Sequence, residues 1–151
     1  MIIKDIMVRE ATSCCPDTNL EAAGRMMWDH NCGALPVLDT ENHPVGLITD
    51  RDIAMSAVLN HKPLWDISTS DVITNREIFT CNMNDDIQAA LTTMQTHKIR
   101  RVPVVNGDGR LEGMLSIDDI IACSEKKAGK TVPPLSFEDA MSTLKTVCFQ
   151  H

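Results

Sequence analysis

Two short stretches each place a hydroxyl and a carboxylate three residues apart, shortly after a glycine. Thr49 precedes Asp52 within residues 46–52, the first corner, and Ser116 precedes Asp119 within residues 113–119, the second corner. A carboxylate can accept charge-assisted hydrogen bonds from both hydroxyls of a ribose, and the nearby hydroxyl can add another. A helix that starts there would also offer free N–H groups to an anion. The same spacing defines a capping box, which needs no ligand.

The corners belong to a longer internal repeat. Residues 6–56 align with residues 73–123 at an offset of 67 without a gap, and 13 of the 51 aligned positions are identical. The identical residues include Arg9 and Arg76, His30 and His97, and the proline and valine of each aliphatic-Pro-Val segment. A gapless repeat of this length indicates two copies of one structural unit that bury their apolar faces together. This repeat favours a binding role over a simple cap for Thr49 and Asp52, and leaves the two interpretations evenly balanced for Ser116 and Asp119.

Each copy has the apolar periodicity of a β-α-β-β-α unit. In the first copy we predict strands over 12–15, 34–38 and 45–49, a helix capped by Asp17, and a helix over 50–60. In the second copy we predict strands over 78–81, 101–105 and 111–116, a helix capped by Asn84, and a helix from 118 to about 127. The predicted domains are repeat 1 (1–60), a loop connector (61–70), repeat 2 (71–127) and a tail (128–151). One face of the tail helix would carry Phe137, Ala140, Met141 and Leu144 as a lid or a partner contact.

Composition narrows the class of protein. The chain has 151 residues, 43% of them hydrophobic, and a formal net charge of −7, which argues against nucleic acid as the main partner. It has no apolar run long enough for a membrane span and no secretory leader, so we expect a cytoplasmic protein without membrane attachment. Its six cysteines form no Cys-x-x-Cys pair and are expected to be reduced thiols. No motif of a nucleophile with its base occurs, so we expect no enzyme activity.

These features together resemble a tandem pair of cystathionine-β-synthase (CBS) domains, also called a Bateman module. The resemblance rests on the aliphatic-Pro-Val segments 34–37 and 101–104, on the Gly-x-x-Thr/Ser-x-x-Asp corners, and on the order of elements, and it covers roughly residues 1–125. The second corner departs from the first in having Asp118 where the first has Arg51. The resemblance implies an α/β (α+β) fold of two pseudo-symmetric repeats, in a standalone regulatory protein.

The resemblance also implies where a ligand would bind. Thr49 with Asp52, and Ser116 with Asp119, would hold the ribose of an adenosine-containing ligand in the cleft between the repeats, and a basic residue would hold its phosphate. The basic candidates are Arg51, Arg100 and Arg101, although the last two also suit a solvated strand end. Because copy one has Gly33 and Ala34 where copy two has Arg100 and Arg101, we expect unequal sites, with the Arg101 side better suited to phosphate. Thr12 and Phe79, in the first predicted strand of each copy, complete the candidate set.

The expected ligand is AMP, ADP or ATP, with NAD or S-adenosylmethionine as alternatives, and no cofactor or metal is required. A homodimer is expected, along with a regulated protein that the sequence does not identify. One alternative is a structural or interaction module without a ligand. Another is a metal-responsive or redox-responsive protein that uses Cys14, Cys15, Cys32 and Cys81, although their spacing matches no zinc pattern and favours buried thiols.

Three pairs of repeat-equivalent residues are expected to have structural roles. His30 and His97 are expected to stabilise the C-terminal ends of the first helices. Arg9 with Glu10, and Arg76 with Glu77, are expected to form local ion pairs of little energetic value.

Overall fold

The computed structural model describes residues 1–148. In chain order its elements are β1 (Val8–Arg9), α1 (Leu20–Asp29), β2 (Ala34–Leu38), β3 (Pro44–Thr49), α2 (Asp50–Asn60), α3 (Thr69–Ile73), β4 (Cys81–Asn82), α4 (Ile87–His97), β5 (Arg101–Val105), β6 (Leu111–Ser116), α5 (Ile117–Cys123) and α6 (Phe137–Cys148), with short 3-10 helices at Ile3–Asp5 and Leu64–Asp66. This mixed α and β content matches the predicted fold class. No helix within the described residues combines the length and apolarity needed to cross a membrane.

The chain divides into two compact units. The first-repeat unit is Ala11–Ile78, and the second-repeat unit combines Met1–Glu10 with the chain from Phe79 onward. The units are therefore divided differently from the sequence repeats, because each takes in the opening segment of the opposite copy. The opening segment of copy one contributes β1, which pairs antiparallel with β6. By the 67-residue offset, the equivalent opening segment of copy two contains α3, which belongs to the first-repeat unit.

A β-hairpin is the central element of each unit. In the first-repeat unit β2 pairs antiparallel with β3, and in the second-repeat unit β5 pairs antiparallel with β6 inside a sheet of order β1-β6-β5-β4. Both hairpins have a register shift at equivalent places, Val37/Leu38 and Val104/Val105. In each turn a side-chain oxygen, from Asp39 in one and Asn106 in the other, accepts two backbone N–H groups. Local turn chemistry thus fixes the same hairpin twice.

The apolar faces predicted for the first helices are buried. Leu20, Ala23 and Met27 of α1 lie in the core of the first-repeat unit. The α4 residues Ile87, Ala90, Leu91 and Met94 lie in the core of the second-repeat unit. The predicted bounds of β2, β5, β6 and α2 are confirmed, and β3 begins one residue earlier than predicted.

Several local predictions were wrong by a few residues. The helices are capped by Asn19 and Asp86, not by Asp17 and Asn84, because the chain first makes a turn at each place. The strand predicted at 12–15 is reduced to one bridge between Cys14 and Val37, because Pro16 has no N–H to continue the pairing, whereas its repeat-equivalent Met83 donates to the Val105 carbonyl. The strand predicted at 78–81 begins only at Cys81.

The connector and tail also differ from the predictions. The connector is not a plain loop, because Ile67 is buried in the first-repeat core and Ser68 forms a capping box with Asp71 that starts α3. Helix α5 ends at Cys123, where the chain leaves the helix so that the Glu125 N–H can bond the Leu135 carbonyl. Helix α6 packs on α4 and α5 of its own unit. Its buried residues are Ala140, Thr143 and Val147, whereas Phe137 and Met141 are more than half exposed.

Close packing explains why each corner begins with glycine. A Cβ built on Gly46 would lie 2.6 Å from Cδ1 and 3.0 Å from Cβ of Ile73, which is in α3. A Cβ on Gly113 would collide with the backbone carbonyl oxygen of Val8 in β1. The opening segment that each unit takes from the opposite copy therefore lies directly against its corner glycine.

Candidate functional site

The first corner is a capping box at the start of α2. The Thr49 hydroxyl accepts the Asp52 N–H at 3.2 Å, and Asp52 Oδ2 accepts the Thr49 N–H at 2.9 Å. Both side chains are half-buried. The predicted strand-to-helix turn is therefore present with both groups at one place. In this conformation the Thr49 hydroxyl and the Asp52 carboxylate both stabilise the start of α2, a role that needs no ligand.

Arg76 occupies the second oxygen of the Asp52 carboxylate. Its Nη2 lies 2.8 Å from Asp52 Oδ1, and the Asp52 side chain is only 13% exposed. Burial alone would raise the pKa of Asp52, but the hydrogen bonds from Arg76 and Thr49 lower that pKa below its usual value. The pair also raises the pKa of Arg76. Asp52 is thus ionised at neutral pH, and both of its oxygens already have donors.

The local ion pairs predicted for the two repeated arginines were not found. Arg76 pairs with Asp52, which lies 24 positions earlier in the chain, and Arg9 Nη2 donates to the Lys4 carbonyl at 3.4 Å. Sequence reasoning therefore missed Arg76 as a site residue. The repeated arginine was a usable signal, but its partner could be found only from the packing of the opening segment of copy two.

The second corner repeats the capping box with an open oxygen. Asp119 Oδ2 accepts both the N–H and the hydroxyl of Ser116, each at 2.8 Å, and the Asp119 N–H donates to the Ser116 hydroxyl at 3.3 Å. Within residues 1–148 the hydrogen bonds of Asp119 use Oδ2 or its backbone N–H, which leaves Oδ1 for a further donor. Asp119 is half-buried, and within the described residues no side-chain oxygen without a hydrogen-bond partner is fully buried, so Oδ1 keeps some exposure.

Arg101 lies beside the second corner. It is the direct cross-strand partner of Ser116 in the β5–β6 pair, so both side chains lie on the same face of the sheet. At the equivalent place in the first corner, Thr49 faces Ala34, which has no charge. Arg100 is exposed and donates through Nη2 to Cys148 Sγ at 3.3 Å. Of the two arginines, Arg101 is the one that the strand register brings to a corner.

Within residues 1–148, the side chains of the remaining candidates make no hydrogen bond to Asp52 or Asp119. Arg51 is exposed in the first turn of α2, and Thr12 is half-buried just before Cys14. Phe79 stacks on His97, with ring centroids 3.5 Å apart and planes at 13°. One face of the Phe79 ring is therefore already covered, and His97 contributes to packing at the end of α4.

The cysteines differ in exposure and acidity. Burial raises the pKa of Cys14 to about 11 and also raises the pKa of Cys81. Cys15 is exposed, and a hydrogen bond with the Thr18 hydroxyl lowers its pKa. Within residues 1–148, no three His, Cys, Asp or Glu side chains are grouped as a metal site would need.

The duplicated hairpin, the two corner capping boxes and the repeat itself define a two-copy CBS fold. The CBS domain profile matches residues 3–58 and 67–126, so this chain belongs to the CBS domain family.

Similar proteins share this architecture over most of their length. The CBS domain-containing protein YhcV of Bacillus subtilis is 28% identical over 143 residues, which are 91% of this chain and 96% of YhcV. The crystal structure of Hypoxic Response Protein I with two coordinated zinc ions has a TM-score of 0.74 and 29% identity, and the match covers 83% of this chain and all of that one. The CBS domain pair of protein MJ0100, in complex with 5′-methylthioadenosine and S-adenosyl-L-methionine, has a TM-score of 0.69 and 26% identity. The match covers 81% of this chain and 94% of that one.

Proposed function

We propose that this protein is a non-catalytic sensor that binds an adenosine-containing ligand through its corner residues. The proposal rests on the geometry of the second corner. Within the described residues, Asp119 has one carboxylate oxygen without a hydrogen-bond donor, and Arg101 faces Ser116 across the paired strands. A half-buried carboxylate with a free oxygen suits the ribose diol, and a guanidinium suits a phosphate or another anionic group. The MJ0100 pair, which binds two adenosine derivatives, supports this ligand class.

The chemistry of this site is recognition. Asp119 would accept hydrogen bonds from the ribose hydroxyls, Ser116 would add a further bond, and Arg101 would bind an anionic group. Ligand binding would favour the conformation that presents these groups together, and a regulated protein would respond to that shift in population. Thr49 and Asp52 form the equivalent corner of the first-repeat unit.

A panel of ligands tests the proposal. Thermal unfolding is measured with AMP, ADP, ATP, NAD and S-adenosylmethionine, on the natural protein and on Asp119→Asn. A ligand at 100 times its Kd should stabilise the natural protein by about 2.7 kcal/mol, and most of that gain should be lost in the variant. Asn keeps an oxygen for the Ser116 N–H, so the helix cap survives. If no adenosine compound raises the melting temperature, the protein is a structural or interaction module instead.

We propose in addition that the protein is a homodimer through α2. Met55, Val58 and Leu59 lie at helical spacing on one face of α2 and are 42%, 62% and 68% exposed. Adjacent exposed aliphatic side chains on a well-formed helix are typical of an association surface. A two-fold dimer would bury this face against its own copy.

The zinc ions of Hypoxic Response Protein I make a metal-responsive role the alternative to test. It would have to draw on Cys14, Cys15, Cys32 or Cys81, of which Cys14 and Cys81 are buried thiols with raised pKa values. Adding Zn²⁺ to the same thermal panel, with Cys15→Ser as the comparison, separates this role from nucleotide sensing. A Zn²⁺ shift that is lost in Cys15→Ser would favour the metal role.

A further inference from the structure

Arg76 makes the two corners chemically different, although their sequences repeat. At the first corner, Asp52 gives Oδ2 to the Thr49 N–H and Oδ1 to the Arg76 guanidinium. At the second corner, the bonds of Asp119 within the described chain use Oδ2, and the repeat-equivalent arginine, Arg9, donates to a backbone carbonyl. An internal cation is thus bonded to the corner carboxylate at one corner only.

We infer that Arg76 is a specificity-determining residue that competes with the ligand for Asp52, so that the second corner is the tighter adenosine site and the first the weaker one. The inference rests on the proposed function. Its physical basis is that the Arg76 guanidinium, 2.8 Å from Asp52 Oδ1, already makes a charge-assisted bond to that oxygen, so a neutral hydroxyl must either share the oxygen with it or displace it. A hydroxyl is the weaker donor, so sharing or displacement costs affinity at the first corner alone.

The surroundings of Arg76 explain why the pair would weaken ligand binding at the first corner without preventing it. Its side chain is about half exposed and lines an open pocket of about 360 Å³ together with Ser56, Asn60 and Asp71. The guanidinium therefore has space to move away from Asp52. It also has a second carboxylate, Asp71, on the wall of the same pocket. A ligand that carries its own anionic group would further offset the loss of the pair.

The test is calorimetric titration of the full-length protein with AMP. Arg76→Met keeps the length and apolar part of the side chain but removes the donor, and Arg9→Met is the matched control from the other repeat. The natural protein should show one tighter and one weaker binding event. In Arg76→Met the weaker event should tighten by up to about fivefold, since one half-exposed charged contact is removed. Arg9→Met should bind as the natural protein does, and Arg76→Lys should lie between.

Further variants assign the events to corners. Asp119→Asn should remove the tighter event, and adding Asp52→Asn to Arg76→Met should abolish the gain. If Arg76→Met binds AMP as the natural protein does, or more weakly, Arg76 is not a competitor and the inference is overturned while the proposed function stands. If neither the natural protein nor Arg76→Met binds AMP or another adenosine ligand, although both are folded by circular dichroism, the proposed function falls and the inference with it.

Discussion

Gly46 lies against Ile73 so closely that even one added methyl group would overlap it, at 2.6 Å from the Ile73 Cδ1 atom. The contact joins the strand that ends in the first corner to α3, which comes from the opening segment of copy two. Gly46→Ala should therefore lower the free energy of unfolding by about 1–3 kcal/mol, because a close-packed core must shift to admit the methyl group. Chemical denaturation measures the change.

Gly107→Ala is the matched control for that measurement, since a Cβ at Gly107 would meet no atom within 4 Å. It should leave stability unchanged or raise it slightly. Equal destabilisation by both variants would show that the loss at Gly46 does not come from Ile73.

Arg101→Ala should weaken the binding of AMP about tenfold or more, while adenosine should bind almost as before. Arg101 faces Ser116 across the strands, where its charge can reach a phosphate but is not needed for the ribose. Calorimetry with both ligands isolates the phosphate contribution. Arg110→Ala, in the turn at the opposite end of the hairpin, is the control and should change neither affinity. An equal loss for AMP and adenosine would show that Arg101 acts through packing.

The Asp52–Arg76 pair should give a pH-dependent difference in stability between the natural protein and Arg76→Met. The folded-state pKa of Asp52 lies below its ordinary value of about 3.9. The stabilisation is therefore fully present above about pH 4 and is lost as the pH falls through the lowered pKa. Because Arg76 is about half exposed, the difference at pH 7 should be no more than about 1 kcal/mol. Urea unfolding between pH 2.5 and 7 measures it, and a difference that persists at the lowest pH would contradict an ionic origin.

The cysteines should differ in their reaction with iodoacetamide at pH 8. Cys15 is exposed and has a lowered pKa, so it should be alkylated first. Cys14 is buried with a pKa of about 11, so it should react more than a hundredfold more slowly in the folded protein. Peptide mass spectrometry over time follows each site. Unfolding in urea should remove the difference, and if it persists there, folded-state burial does not cause it.

Charges on the exposed face of α2 should produce a monomer. Val58→Lys with Leu59→Lys would place two like charges at the centre of the proposed interface, where pairing them would require desolvation. Sedimentation velocity of the natural protein and the variant measures the change in mass. Val132→Lys is the control, because Val132 is equally exposed but lies outside α2. A natural protein that sediments as a monomer would refute the interface.

Local sequence patterns predicted the elements but not the contacts that distinguish the corners. The strands Ala34–Leu38, Arg101–Val105 and Leu111–Ser116 could be delimited because their apolar runs end at turn residues or capping boxes. The capping residues of α1 and α4 could not, because several polar residues precede each helix and the turn before it selects one of them.

The pairing of Asp52 with Arg76 could not be predicted from the sequence, for a different reason. It depends on where α3 packs, and no local sequence pattern shows that the opening segment of copy two belongs to the first-repeat unit. The exposed positions of Phe137 and Met141 follow from the same kind of long-range packing, since α6 turns its Ala140 and Val147 side toward α4 and α5.

The position of Met1–Glu10 in the second-repeat unit has a consequence for biosynthesis. β1 is synthesised before the whole of the first-repeat unit, but its partner β6 is made only after more than a hundred further residues. Residues 11–78 are contiguous and can fold while the rest of the chain is still being synthesised. β1 must wait until β6 has emerged, so residues 1–10 reach their native strand partner later than the first-repeat unit can form.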